Sequence, residues 1–137
     1  MKAKITWMNQ RTFVAESGSG HAVVLDGAPE HGGRNLGIRP MEMLLMGLGG
    51  CTAFDVVMIL EKAREKVTGC EVELEGERAS EDPKVFTKVK IIYTLKGENL
   101  KPAAVERAIN LSSEKYCSAS IMFEKSGTTI EHEWRIV

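Results

Sequence analysis

An apolar stretch of 18 residues, from Met43 to Leu60, limits most strongly what this chain can fold into. Only Thr52 and Asp55 within it are conspicuously polar. Pro40, just before it, suits the first turn of an α-helix, where the missing N–H of proline is not needed. A helix that is apolar on nearly every side must be buried on most of them. We therefore predict one long helix that is buried on most sides.

A membrane span is the competing interpretation of this stretch, because its length and hydropathy suit a spanning helix. Asp55 near its middle argues against a span, as do Gly47, Gly49 and Gly50. Each glycine costs a helix about 1 kcal/mol relative to alanine, and close packing against another backbone is the usual reason to retain it. A chain of 137 residues has few elements to surround such a helix. We therefore expect a second subunit, and no membrane, to help bury it.

Alternation of apolar and polar residues predicts strands before the helix. Residues 3–7, 12–16 and 21–26 are predicted as three strands, the first of them half-buried, with a glycine-rich turn at 17–20. Residues 27–39 are rich in Gly, Pro, His, Asn and Arg, which predicts a loop. Loops this long in a compact domain are often functional.

After the helix, residues 70–95 predict a β-hairpin. A register that sets Glu77 opposite Lys88 also sets Leu74 opposite Ile91. Opposite charges on one face and apolar pairs on the other both favour this register.

Two further helices and a strand complete the predicted order. Pro102 suits the start of a second helix, Cys117 lies at the junction with a short third helix, and Thr128–Ile136 is predicted as a closing strand. The order βββ-α-ββ-αα-β keeps strands and helices apart, which indicates an α+β fold. The length predicts a single domain over residues 1–137.

Composition excludes several classes of function. The net charge is −1 and the basic residues form no run, so the electrostatic signature of a nucleic-acid binder is missing. The N-terminus has no apolar signal segment, which predicts a cytoplasmic protein. His21, His31 and His132 lack the spacing of metal ligands, so no zinc site is predicted. The cluster Gly47–Gly50 lacks the lysine and hydroxyl of a phosphate-binding loop.

The chain has three cysteines, an odd number that does not suit a framework of structural disulfides. A free cysteine is most often a small buried apolar residue. Cys70 fits that description, because it is in phase with Val72 and Leu74 on the core side of its strand.

Cys51 and Cys117 have different settings. Cys51 lies in the glycine-rich helix, where small neighbours leave room for a substrate or a second backbone. Cys117 is expected at a helix N-terminus, a position that lowers a thiol pKa. If the fold brings the two together, a peroxide would oxidise one to a sulfenic acid, and the other would condense with it to a disulfide.

Two segments carry a family resemblance. Residues 40–56, PMEMLLMGLGGCTAFDV, and residues 113–118, SEKYCS, resemble the two cysteine segments of the OsmC/Ohr family of osmotically inducible and organic hydroperoxide resistance proteins. Within that family the first segment resembles the subgroup related to YhfA. The resemblance implies an α+β OsmC-like fold, with antiparallel sheets wrapped around central helices in an intertwined homodimer. It also implies active sites at the subunit interface.

The resemblance further implies a mechanism. Cys51 would be the peroxidatic thiolate and Cys117 the resolving thiol. The substrates would be organic hydroperoxides, and a small dithiol or a lipoyl-type molecule would supply electrons. No metal, flavin or haem is implied.

The family's other catalytic groups are a glutamate and an arginine. The glutamate position corresponds to Met41 in this chain, so the neighbouring Glu42 is the candidate carboxylate. Arg39 and Arg34 are candidates for the arginine that holds the thiolate. The implied substrate pocket comprises Arg34, Met41, Leu48 and Tyr116.

Two other hypotheses stay open. In the second hypothesis, after the peroxidase, the protein is a dimeric binding or redox-sensing protein for an apolar or sulfur-containing ligand, with negligible turnover. In the third hypothesis it is a structural dimer whose cysteines merely pack.

Overall fold

The computed structural model of the chain describes residues 1–137, which divide into two compact units, residues 1–44 and residues 45–137. The element order is three strands, a long helix, two long strands, two short helices and a last strand. This order confirms the predicted α+β class. The boundary between the units falls inside the long helix.

The first unit contains an antiparallel sheet of three strands: β1 (Ala3–Asn9), β2 (Thr12–Ser17) and β3 (Ala22–Leu25). The prediction of a half-buried first strand is not met in the single chain, because all seven residues of β1 are exposed. β1 is an edge strand, paired only with β2.

The loop after β3 is organised by Asp26, whose side chain is 2% exposed. Its carboxylate accepts hydrogen bonds from the hydroxyl of Thr12 (3.1 Å) and from the backbone N–H groups of Gly27 (2.7 Å), Leu36 (3.2 Å) and Arg34 (3.4 Å). Burial by itself would raise the pKa of Asp26, but these four donors outweigh it and the pKa is lowered. The loop is therefore fixed from within by one carboxylate.

The long helix α1 begins in the first unit, and the remaining elements belong to the second. Their bounds are α1 (Pro40–Lys62), β4 (Lys66–Arg78), β5 (Phe86–Glu98), α2 (Pro102–Leu111), a π-helical turn (Ser112–Tyr116), α3 (Ser118–Lys125) and β6 (Thr129–Ile136).

Strands β4 and β5 pair in the predicted register. Glu77 lies opposite Lys88, and Leu74 lies opposite Ile91. The expectation of antiparallel sheets is wrong for the third strand of this sheet, because β6 pairs parallel with β5. A parallel pair needs a crossover connection, which α2 and α3 provide between the two strands.

Helix α1 packs on this sheet through one side only. A side chain at Gly49 would place its Cβ 2.5 Å from Cδ1 of Leu74, so the close contact depends on glycine. The buried residues of the helix are Leu48, Gly49, Thr52, Asp55, Val56 and Leu60.

The opposite side of α1 is open, so the chain alone does not provide the predicted burial on most sides. Met46 is 58% exposed and Phe54 is 71% exposed. By length and composition α1 is a candidate membrane span, with 33% of its most apolar window buried.

Candidate functional site

The two cysteines of interest lie on different elements of the second unit. Cys51 is half-buried on α1. A side chain placed at Gly47 or Gly50 would meet nothing within 4 Å, so the helix surface beside Cys51 is open. Cys117 is fully buried between the π-helical turn and α3.

Cys117 is the N-cap residue of α3, as the sequence predicted. Its Sγ accepts a hydrogen bond from the backbone N–H of Ser120 at 3.3 Å. The packing of α1 beside this turn brings the two thiols together with a carboxylate. The sulfur atoms of Cys51 and Cys117 and an oxygen of Asp55 all lie within 4.8 Å of one another.

The expected low pKa at Cys117 is wrong. Burial raises the pKa of the Cys117 thiol to about 12, the Ser120 amide opposes this only in part, and the neighbouring Cys51 and Asp55 raise it further. A fully buried thiolate loses its hydration, and one amide at a short helix terminus does not replace it. Cys117 is therefore held as a neutral thiol.

Asp55 is connected to a chain of hydrogen-bonded polar side chains, all buried except the half-buried His132. Ser112 donates its hydroxyl to Asp55 (3.4 Å), Ser112 and Thr52 lie 3.2 Å apart, Thr52 and Tyr93 lie 2.7 Å apart, and Tyr93 and Nδ1 of His132 lie 3.2 Å apart. This hydrogen-bond chain runs from α1 and the π-helical turn to β5 and β6. Sequence reasoning missed this arrangement, although Asp55 follows Cys51 at the four-residue spacing that shares a helix face.

Hydrogen-bond chemistry fixes the direction of this chain. An ionised carboxylate only accepts, and each hydroxyl has one proton to donate. Once Ser112 donates to Asp55, Thr52 must donate to Ser112 and Tyr93 must donate to Thr52. Nδ1–H of His132 must then donate to the Tyr93 oxygen, which sets the tautomer of the neutral imidazole.

Two pKa shifts agree with this assignment. Burial raises the pKa of Tyr93 to about 12, so the phenol keeps its proton at neutral pH. Burial also lowers the pKa of His132, which favours the neutral ring.

The predicted catalytic pair Glu42 and Arg39 lies in the first unit, at the start of α1. The backbone N–H of Arg39 donates to the Glu42 carboxylate at 2.8 Å, which is half of a capping box. The guanidinium lies 3.9 Å from the same carboxylate and donates to Asn35 at 2.6 Å. The two side chains are therefore engaged with each other and with the loop.

The predicted pocket residues belong to both compact units. Arg34 donates to the Thr12 hydroxyl at 2.9 Å, and Met41 is half-buried, both in the first unit. In the second unit Leu48 is fully buried, and Tyr116 is 49% exposed. Cys70 is half-buried and stands outside the three-atom cluster, and burial raises the pKa of its thiol.

The cluster is also the group of side chains that could hold a metal ion. Two thiol sulfurs and one carboxylate oxygen within 4.8 Å are a donor set that zinc accepts. The absence of a resident metal stays a prediction.

Comparison with known proteins assigns the chain to a family. The OsmC-like protein family matches residues 32–133, and the chain belongs to it. Over 140 aligned residues it is 45% identical to Protein YhfA of Escherichia coli strain K12, and the alignment covers 100% of this chain and 98% of that protein.

Solved structures agree with the assignment. A hypothetical protein from Aquifex aeolicus VF5 is 30% identical with a TM-score of 0.86, and the match covers 99% of this chain and 95% of that one. The organic hydroperoxide resistance protein OhrB of Bacillus subtilis is 15% identical with a TM-score of 0.66 over 98% of both chains, a likeness of fold alone. Proteins of the family are generally soluble bacterial dimers, and the family includes cysteine-based peroxidases.

Proposed function

We propose that the chain is a thiol-dependent peroxidase that reduces organic hydroperoxides through Cys51 and Cys117, in defence against oxidative stress. The observation that carries this proposal is the meeting of the two sulfurs within 4.8 Å, in a family that includes cysteine-based peroxidases.

The different surroundings of the two thiols support their separate roles. Cys51 is half-buried beside an open helix surface, so a hydroperoxide can reach it. Cys117 is fully buried and its pKa is raised, so it is the poorer nucleophile toward an external substrate. We therefore assign peroxide attack to Cys51 and resolution to Cys117.

The proposed reaction balances with one hydroperoxide and one dithiol. The Cys51 thiolate attacks the outer peroxide oxygen, the O–O bond breaks, and the alkoxide leaves as an alcohol after taking a proton. Cys117 then attacks the Cys51 sulfenic acid, the S–S bond forms and water leaves. A dithiol or lipoyl-type reductant restores both thiols by exchange.

We propose Arg39 and Glu42 as assisting catalytic groups and Arg34, Met41, Leu48 and Tyr116 as the substrate pocket. Support for the first pair is their ion pair at the start of α1, the helix that carries Cys51. A guanidinium that approaches a thiolate lowers its pKa, and a carboxylate partner fixes that guanidinium.

We also propose a cytoplasmic homodimer with active sites at the subunit interface and no bound cofactor. The exposed apolar side of α1, including Met46 and Phe54, supports a second subunit. No membrane or nucleic acid is a partner in this proposal.

Consumption of cumene hydroperoxide by purified protein, with dihydrolipoamide as reductant, tests the function. Cys51→Ser should abolish turnover, while Cys70→Ser, the matched control, should retain it. Mass spectrometry after one equivalent of peroxide should find a Cys51–Cys117 disulfide. Full turnover in Cys51→Ser would overturn the assignment.

A non-catalytic dimeric binding or redox-sensing protein is the second candidate. It is favoured by the raised pKa of Cys117, which slows resolution, and by the engagement of Arg39 with Glu42 and Asn35. In that case one equivalent of peroxide would form the disulfide, but multiple turnover with dithiol would be absent.

A further inference from the structure

We propose that Asp55 is the proton acceptor of the cysteine pair: its carboxylate takes the proton of the Cys117 thiol as the Cys51–Cys117 disulfide forms. This inference deepens the proposed peroxidase function and rests on it for the oxidant.

The first support is position. Cys117 is fully buried, so its thiol proton has no direct route to solvent. A carboxylate oxygen of Asp55 lies within 4.8 Å of both sulfurs. One water or a small side-chain rotation spans such a distance, and acid–base contacts commonly tighten only when the reaction begins.

The second support is that the carboxylate is available. Asp55 is 9% exposed and takes part in none of the salt bridges of the chain. Its Oδ2 accepts the hydroxyl of Ser112, while Oδ1 has no hydrogen-bond partner. The Ser112 bond orients the carboxylate and leaves one oxygen free to take a proton.

The third support is that the Cys117 thiol requires a base in order to react. Burial raises the pKa of Cys117, so little of this thiol is ionised at pH 7. Resolution through the free thiolate would therefore be slow. A base beside the thiol removes the proton as the S–S bond forms and avoids this loss.

The step balances without another reactant. The Cys117 sulfur is oxidised and the sulfenic sulfur of Cys51 is reduced as the S–S bond forms and the S–O bond breaks. Asp55 takes the thiol proton and passes it to the departing hydroxide, which leaves as water. The carboxylate is thereby regenerated.

The test uses a probe that needs no peroxide. In a Cys70→Ser background, 4,4′-dithiodipyridine reacts with Cys51 and releases a first thiopyridone. Cys117 then attacks the mixed disulfide and releases a second. The rate of the second release isolates the step that Asp55 is proposed to assist.

Asp55→Asn keeps the shape and the acceptor for Ser112 but cannot take the proton. We expect the second release to slow about 100-fold, with the first release unchanged. If Asp55 acted only through its charge, which raises the pKa of Cys117, its removal would speed the second release. An unchanged or faster second release therefore overturns the proposal.

A second measurement, with Asp55 intact, tests the proposal even if the Asp55→Asn variant does not fold. Transfer of a proton in the rate-limiting step predicts a slower second release in D₂O than in H₂O. An equal or faster rate in D₂O overturns the proposal, because attack by a preformed thiolate transfers no proton in the rate-limiting step.

A peroxide arm separates this inference from the peroxidase proposal. With cumene hydroperoxide, Asp55→Asn should accumulate the Cys51 sulfenic acid, which dimedone traps. If the protein with Asp55 intact neither forms a sulfenic acid nor consumes hydroperoxide, the peroxidase proposal fails, while the dithiodipyridine rates still decide the role of Asp55.

Discussion

Each compact unit contains one buried aspartate, and their surroundings differ. Asp26 is 2% exposed and accepts four hydrogen bonds, three of them from backbone N–H groups. Asp55 is 9% exposed and accepts one, from Ser112 at 3.4 Å. A carboxylate surrounded by fixed donors organises a loop, whereas one left mostly unbonded beside two thiols is free to exchange a proton.

Removing the charge from each aspartate is the strongest way to break this comparison. Asp55→Asn should lower peroxide turnover about 100-fold, because resolution loses its base, and should leave the amides of residues 27–36 protected from hydrogen exchange. Steady-state peroxide consumption and amide exchange measured on the same sample would check both. Normal turnover in this variant would place Asp55 with Asp26 as a structural residue.

Cutting the hydrogen-bond chain at Tyr93 should have the next largest effect. Tyr93→Phe removes the donor to Thr52 and leaves Nδ1–H of His132 without an acceptor, which should lower the free energy of unfolding by about 1–3 kcal/mol. Tyr116→Phe is the matched control, because Tyr116 is 49% exposed, and should change it by less than about 0.5 kcal/mol. Urea denaturation measures both. Equal effects in the two variants would mean that the hydrogen-bond chain adds nothing to the free energy of unfolding.

The reciprocal variant, Asp26→Asn, should act on the loop. The neutral amide accepts hydrogen bonds through a single oxygen, so some of the N–H groups of Gly27, Arg34 and Leu36 lose their partner. We expect their hydrogen exchange to become about tenfold faster. The second release of thiopyridone should stay at its normal rate, and a slowed release would contradict the division of roles.

The smallest expected effect is a pH dependence at His132. Burial lowers the pKa of this imidazole in the folded protein, so the unfolded chain binds a proton at a higher pH than the folded one. In the unfolded chain the pKa of this imidazole is about 6.5, so near and below that pH the unfolded state binds more protons than the folded state. The free energy of unfolding therefore falls as the pH decreases, until the pKa of the folded state is reached. His132→Asn should flatten this part of the curve of unfolding free energy against pH. Urea titrations from about pH 5 to about pH 8 cover the window.

Local patterns in the sequence predicted much of this fold. The register of β4 and β5 followed from charge and apolar pairing, and the helix start at Pro40 and the junction at Cys117 followed from residue type. The parallel pairing of β6 was missed, although the two helices predicted between β5 and β6 are the kind of crossover connection that a parallel pair requires.

The chemistry of the site was less predictable. The helix-terminus rule assigned Cys117 a low pKa, but complete burial, which only the three-dimensional packing reveals, reverses the shift. Asp55 served only as an argument against a membrane span, because its neighbours Ser112 and Cys117 come from a turn far along the chain. His132 looked like an isolated histidine for the same reason.

The hydrogen-bond chain from His132 to Asp55 has one further consequence. Every member donates toward the carboxylate, so the chain has two self-consistent settings and no stable mixture of them. A proton on the free Oδ1 leaves these bonds as they are, whereas a proton on Oδ2 makes Asp55 a donor to Ser112, so that every later bond reverses and Nδ1 of His132 must accept from Tyr93. The imidazole tautomer on the partly exposed strand β6 thus indicates whether the Oδ2 atom of Asp55 carries a proton. Nitrogen NMR of His132 would therefore show which carboxylate oxygen of Asp55 takes a proton, without any change to the cysteines.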